Sequence, residues 1–381
     1  MLEFFSRKPT SFLYQFVQHH TAFLRLIRVA VFSFLVLSST FLQGMTHVWS
    51  NLLEGAWEVT ENWQSKAPLK NSDAALIDNG GVATVSHSAH SVAQITVGDQ
   101  SSSQLVIQDR GQLTNGITIL GNQVFSKGMA TVHGGLAQWV TSNFYNGFSG
   151  EGHLIVENGG LLSNGALYMG MNKGSSGIVL VDKAGSISNA SMYVGYGGVG
   201  TVRIINESSI LSSGTVSLGT QSGSQGNVKV EGSNSSLEVQ KTFYVGDVGE
   251  GQLHATGGAK VVSQDAVIGH QVGSNGTVLI DGQSHWVNQG QLTVGQDGKG
   301  SLTVQDGASV ISGRGNVGTS SLGQGGHVTV SGSESRWINT GSLSLENQAS
   351  SLVVERGALV SAPTVDVNAG EIHLRGSENN P

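Results

Sequence analysis

The chain has 381 residues, of which 55 are Gly, 4 are Pro and none is Cys. Without Cys there is no disulfide framework, thiolate nucleophile or Cys-type zinc site, and Gly does not fall at every third position as collagen requires. Charged residues make up 12%, apolar residues 38%, and the net charge is -7, a balance that argues against disorder and against general binding to nucleic acid.

The N-terminal stretch is basic, with Arg7, Lys8, Arg25 and Arg28 against Glu3 alone. An apolar run follows over 29–42, a basic-then-apolar order that reads as a signal peptide. The run is short for a membrane-spanning helix, which needs ~20 residues. Residues 1–44 are therefore expected to be removed on export, with the cut between 40 and 46. Their loss takes away four positive charges and one negative, so -7 minus 3 leaves the mature chain near -10.

Residues 45–93 are expected to cap the body that follows. They hold Trp49, Trp57 and Trp63, three of the six Trp, and an open end of a repeat fold is a sheet edge that needs covering.

From residue 94 a short phrase recurs: β-forming residues, then Gly. It reads Ile95-Thr-Val-Gly98, Leu167-Tyr-Met-Gly170, Met192-Tyr-Val-Gly195, Phe243-Tyr-Val-Gly246 and Leu292-Thr-Val-Gly295, among others. From Gly98 to Gly318 the Gly-to-Gly steps are 23, 26, 23, 25, 24, 27, 23, 26 and 23. Taken in twos they come to about 49 residues, the length of one repeating unit. One coil of the pair reads like Gly300-Ser-Leu-Thr-Val-Gln-Asp-Gly-Ala308, the other like Gly276-Thr-Val-Leu-Ile-Asp-Gly-Gln-Ser-His-Trp286. Polar and apolar residues alternate as on a strand with one buried face. Asp306-Gly307 and Asn158-Gly159 supply turns. A unit this short buries a core only by stacking on its neighbours. The fold expected is all-β: a right-handed, single-stranded parallel β-helix, or β-solenoid, of about eleven coils over 94–345. Each coil is expected to hold three strand pieces of 3–5 residues, and 346–381 to form an irregular last coil and tail.

The paired phrase at 276–310 and 326–337, with the Trp57-Glu-Val-Thr-Glu-Asn-Trp63 segment before it, resembles the passenger repeats of bacterial autotransporters, the type V secretion family. The resemblance covers roughly residues 55–345. It implies export to the cell surface, outer membrane or exterior by the export machinery and an outer-membrane β-barrel translocator. Residues after Gly370 hold no series of alternating strands for such a barrel. The expectation is a truncated product or a translocator on a separate chain.

No metalloprotease, phosphate-loop or serine-hydrolase motif occurs, and no catalytic, cofactor-binding or metal-binding residue is assigned. The turn column Asp109, Asn158, Asn206, Thr256, Asp306 and Arg356 mixes acid, amide, hydroxyl and base, so it reads as turn formers. His87 and His90 have metal-like spacing without a third ligand nearby and read as surface histidines, as do His153, His254 and His327. Trp139, Trp286 and Trp337 are the candidate ligand-surface residues: facing outward they would form an aromatic stripe for sugar rings, and facing inward they would fill coil corners. Tyr168, Tyr193, Phe243 and Tyr244 are expected to pack in the core or at corners. The functional expectation is a non-catalytic surface scaffold for adhesion or self-association, its partner a host or bacterial glycan or protein. The alternatives are a truncated autotransporter remnant without function of its own and a polysaccharide-active β-helix enzyme.

Overall fold

A computed structural model describes residues 44–320 and 323–376. The expected signal peptide lies outside the described residues. No helix among the described residues is long and apolar enough to cross a membrane. The one helical element among them is a single 3-10 turn, Thr60–Asn62.

The rest is a parallel β-solenoid. Strands alternate between a 14-stranded and a 17-stranded sheet, and in each sheet every strand pairs in parallel with its counterpart one coil away. A typical coil contributes seven residues to the first sheet, as in Ser176–Asp182, and nine to the second, as in Ser186–Val194. The three expected strand pieces are thus two strands, of which the longer bends midway. In two coils the bend breaks it into four-residue and three-residue parts, as at Ser209–Ser212 and Val216–Leu218.

The ladder is longer than the repeat phrase. Thr46–Val48 already pairs with Ala74–Leu76, and Ala74–Ile77 with Gln94–Val97. Glu371–Arg375 still pairs with Ser351–Glu355. Fourteen strands in one sheet exceed the eleven or so coils expected over 94–345, because the flanking coils keep strand alternation but lack the marker. Thirteen steps of ~4.8 Å give a sheet about 62 Å long.

Two Gly columns meet at one corner. Gly195 has φ +68, and a Cβ there would overlap the Gln225 carbonyl; a Cβ on Gly200 would overlap the Gly195 nitrogen. Backbones pass too closely there for any side chain.

The two-coil unit has a structural cause in the turn after the seven-residue strand. From residue 206 onward that turn alternates between three residues, such as 257–259, and four, such as 281–284. The fourth residue of the longer turn is often Ser. Its hydroxyl accepts a backbone N–H from the preceding shorter turn: Ser235 from Glu207, Ser284 from Ala259 and Ser335 from Gly307, at 3.2, 3.1 and 3.0 Å. These three pairs of coils are each joined by a bond that two identical turns would not make.

Candidate functional site

The three candidate Trp side chains do not face solvent. Trp139, Trp286 and Trp337 are fully buried in one core column, Leu113–Trp139–Leu162–Ile187–Ile210–Leu237–Val261–Trp286–Val310–Trp337–Val360. Coils ~4.8 Å apart leave no room for Trp at every level, so aliphatic residues separate them. Each indole N–H donates to the coil before it. Trp286 donates to Ser263 Oγ at 3.0 Å, and Ser263 donates onward to Asn288 Oδ1 at 2.8 Å. Trp337, Ser312 and Asn339 repeat the motif at 3.0 and 2.7 Å. Trp139 donates to Asn115 Oδ1 at 2.7 Å. Inside the core an indole N–H is costly to leave without an acceptor, and these bonds fix register. The expected Trp stripe is thereby corrected: the rings are interior.

The aromatic stripe lies elsewhere, on residues expected to be packing. Tyr145, Tyr168 and Tyr193 stand in direct register, each next to last in its nine-residue strand. Strand alternation turns the residues before them, Phe144, Leu167 and Met192, into the core and the tyrosines to the other face, where neighbouring side chains leave Tyr145 only 9% exposed. Tyr145 stacks on Tyr168 at 5.1 Å and Tyr168 on Tyr193 at 4.9 Å, with planes within 12°. Phe148 meets Tyr145 edge-on at 5.6 Å, and Tyr196 meets Tyr168 and Tyr193 at 5.5 and 5.8 Å. Tyr168, Tyr193 and Tyr196 are half-buried.

Because the ring faces cover one another, the outer surface of the stripe is made of ring edges and phenol tips. Burial, with the neighbouring phenols of Tyr145, Tyr193 and Tyr196, pushes the Tyr168 hydroxyl up to about 12. Burial and Tyr196 raise Tyr145 as well. Both phenols stay protonated at neutral pH and able to donate.

The column continues through Ser217 to Tyr244. Ser217 Oγ donates to Asp247 Oδ2 at 3.0 Å, and His270 Nδ1 lies 2.7 Å from Asp247 Oδ1. The His270 ring lies 4.6 Å from that of Tyr244. These are the residue types of a hydrolase triad, but the order differs. A nucleophilic Ser must hydrogen-bond the imidazole that takes its proton, whereas here both Ser217 and His270 bond the carboxylate. Ser217 is also buried. The arrangement orders the column and activates no nucleophile.

The remaining expectations fall as follows. Asp109, Asn158, Asn206, Asp306 and Arg356 have φ between +52 and +58 and serve as turn formers. His87 reaches Asp109 at 4.0 Å, while His90 faces Ser88 at 2.9 Å and Glu58 at 3.9 Å, so the two histidines do not converge. His153 and His327 stand in one outward column, many coils apart, and His254 stands in another. No cluster of three metal-ligating side chains occurs among the described residues.

The tyrosine stripe was legible only by comparing columns. The Trp286 column is apolar at every level from Leu113 to Val360, as a core column must be. The Tyr168 column also holds Thr96, Ser217, Thr293, Asn316 and Ser344, a polar admixture that marks a surface. No protein family, curated protein or solved structure matches the chain.

Proposed function

We propose that this protein is an exported cell-surface β-solenoid of the autotransporter-passenger kind, a non-catalytic scaffold for adhesion or self-association. The export machinery and an outer-membrane β-barrel translocator are its partners in transit. A glycan or protein on a host or bacterial surface is its partner at the destination. The observation that carries this reading is the tyrosine stripe on a rigid ladder, half-buried at Tyr168 and Tyr193, whose rings lie about one strand spacing (~5 Å) apart. Repeated weak hydrogen bonds to such a row add up through multivalency rather than through one deep pocket.

The test removes the hydroxyls and keeps the stack. In cells displaying the chain, the double substitution Tyr168→Phe and Tyr193→Phe is expected to cut adhesion to glycan-coated surfaces, or autoaggregation, at least about tenfold. Protease added outside the cells must digest the parent protein. Unchanged adhesion and aggregation by a folded double variant, or a parent inaccessible to protease, would overturn the proposal.

A further inference from the structure

On a second face, before the bend of the nine-residue strands, the later coils carry three outward columns side by side. The first is Lys260, His285, Ser309 and Arg336; the second is Val262, Val287, Ile311 and Ile338. The third, at the bend, holds Gln240, Gln264 and Gln289. Three grooves follow these columns. One of about 680 Å³ lies between the cationic and apolar columns, one of about 260 Å³ lies along the glutamines, and one of about 430 Å³ runs from Gln289 past Arg314 to Thr340.

The charge on this face is unspent. The Lys and Arg ion pairs among the described residues involve Arg203, Lys229, Arg356 and Arg375, leaving Lys260, Arg314 and Arg336 without a carboxylate within 4.0 Å. Lys241 is a fourth such cation, at the edge. Four acids lie nearby, among them Asp306 in the exposed turn stacked against that of Glu334. Glu238 accepts from Gln240 Nε2 at 3.2 Å, Asp265 accepts the Gln291 N–H at 2.8 Å, and Glu334 sits in an exposed turn. His285 is engaged with Ser309 at 3.0 Å. Four cations against four acids leave this face close to neutral in a chain of net charge -7, with Lys260, Arg314 and Arg336 free to meet an anion.

We propose that this face binds a linear acidic polysaccharide, a chain of carboxylated sugars laid across the coils. Lys260 and Arg336 are three coils apart, about 14 Å, and would pair with carboxylates about three sugar units apart along the chain. The Val262–Ile338 column offers an apolar track to the C–H face of the sugars, and the glutamine amides match their hydroxyls. A flat apolar track between spaced cations suits a repeating chain with both C–H faces and acid groups. The site is independent of the tyrosine stripe and stands whether or not that stripe has the role proposed above.

The test is affinity electrophoresis of the full chain through gels containing polygalacturonate, neutral dextran or double-stranded DNA. The expected result is retardation by polygalacturonate alone, weakening between about 0.05 and 0.5 M salt as screening shortens. Lys260→Gln with Arg336→Gln should weaken binding at least about tenfold, Arg336→Lys should keep part of it, and Tyr168→Phe with Tyr193→Phe should leave it unchanged. Equal retardation by DNA would overturn a sugar-reading site in favour of simple polyanion attraction. Retardation by dextran, no retardation, or full binding by the double glutamine variant would each overturn the proposal too.

Discussion

The two ends of the described ladder treat the same core columns in opposite ways. At the N-terminal end Trp49, Trp57 and Trp63 are fully buried, with Trp63 edge-on to both others at 4.9 Å and its N–H donated to the Trp57 carbonyl at 2.8 Å. His47 and Asp73 add a buried pair at 3.1 Å, and Asp73 also accepts the N–H groups of Lys70 and Met45. In the last described coil, Val365, Val367 and Leu374 occupy the columns of Leu343, Leu345 and Val354, yet they are 50, 49 and 78% exposed. Residue type does not separate the two ends. A layer lies over the first, and in the described residues none lies over the second.

The largest effect should come from opening the closed end. Trp63→Ala is expected to cost about 3–5 kcal/mol in denaturant unfolding, because its ring touches both other indoles. A cost below about 1 kcal/mol would mean that the three rings do not close the core.

A pair within one column sharpens the contrast. Leu345 is 0% exposed and its register partner Val367 is 49% exposed. Leu345→Ala should cost about 2–5 kcal/mol and Val367→Ala less than about 1. Equal costs would show that the last coil is covered in solution.

The smallest effect is a pH dependence confined to the closed end. Burial alone would raise Asp73, but the Lys70 N–H, the neighbouring His47 and the Met45 N–H outweigh it and hold the carboxyl below its ordinary value. A depressed folded value stabilises above the unfolded carboxylate pKa of about 3.9 and is lost as pH falls through the folded value. Asp73→Asn should therefore flatten the acid limb of a stability-versus-pH curve below about pH 4. An unchanged limb in the variant would assign acid sensitivity to other carboxylates.

Much of the fold is readable from residues. The Gly markers, the Asp-Gly and Asn-Gly turns and the strict alternation at 301–304 force a stacked parallel ladder, since so short a coil has nothing else to pack on. The flanking coils escaped that reading because strand pairing depends on alternation and not on the marker: Ala74–Ile77 carries no Gly yet pairs in register with Gln94–Val97.

The sides of the aromatic residues were harder to read. One residue of register moves a side chain from core to surface, and both Trp and Tyr are compatible with either. Sequence alone determined the period, the strand class and the turn positions, because these are local consequences of backbone freedom and alternation. Only the tertiary structure decided that the tryptophans lie inside and the tyrosines outside, and that the later coils gather unpaired cations beside an apolar track. Those facts belong to columns, which exist only once coils some 23–27 residues apart in sequence are stacked in register.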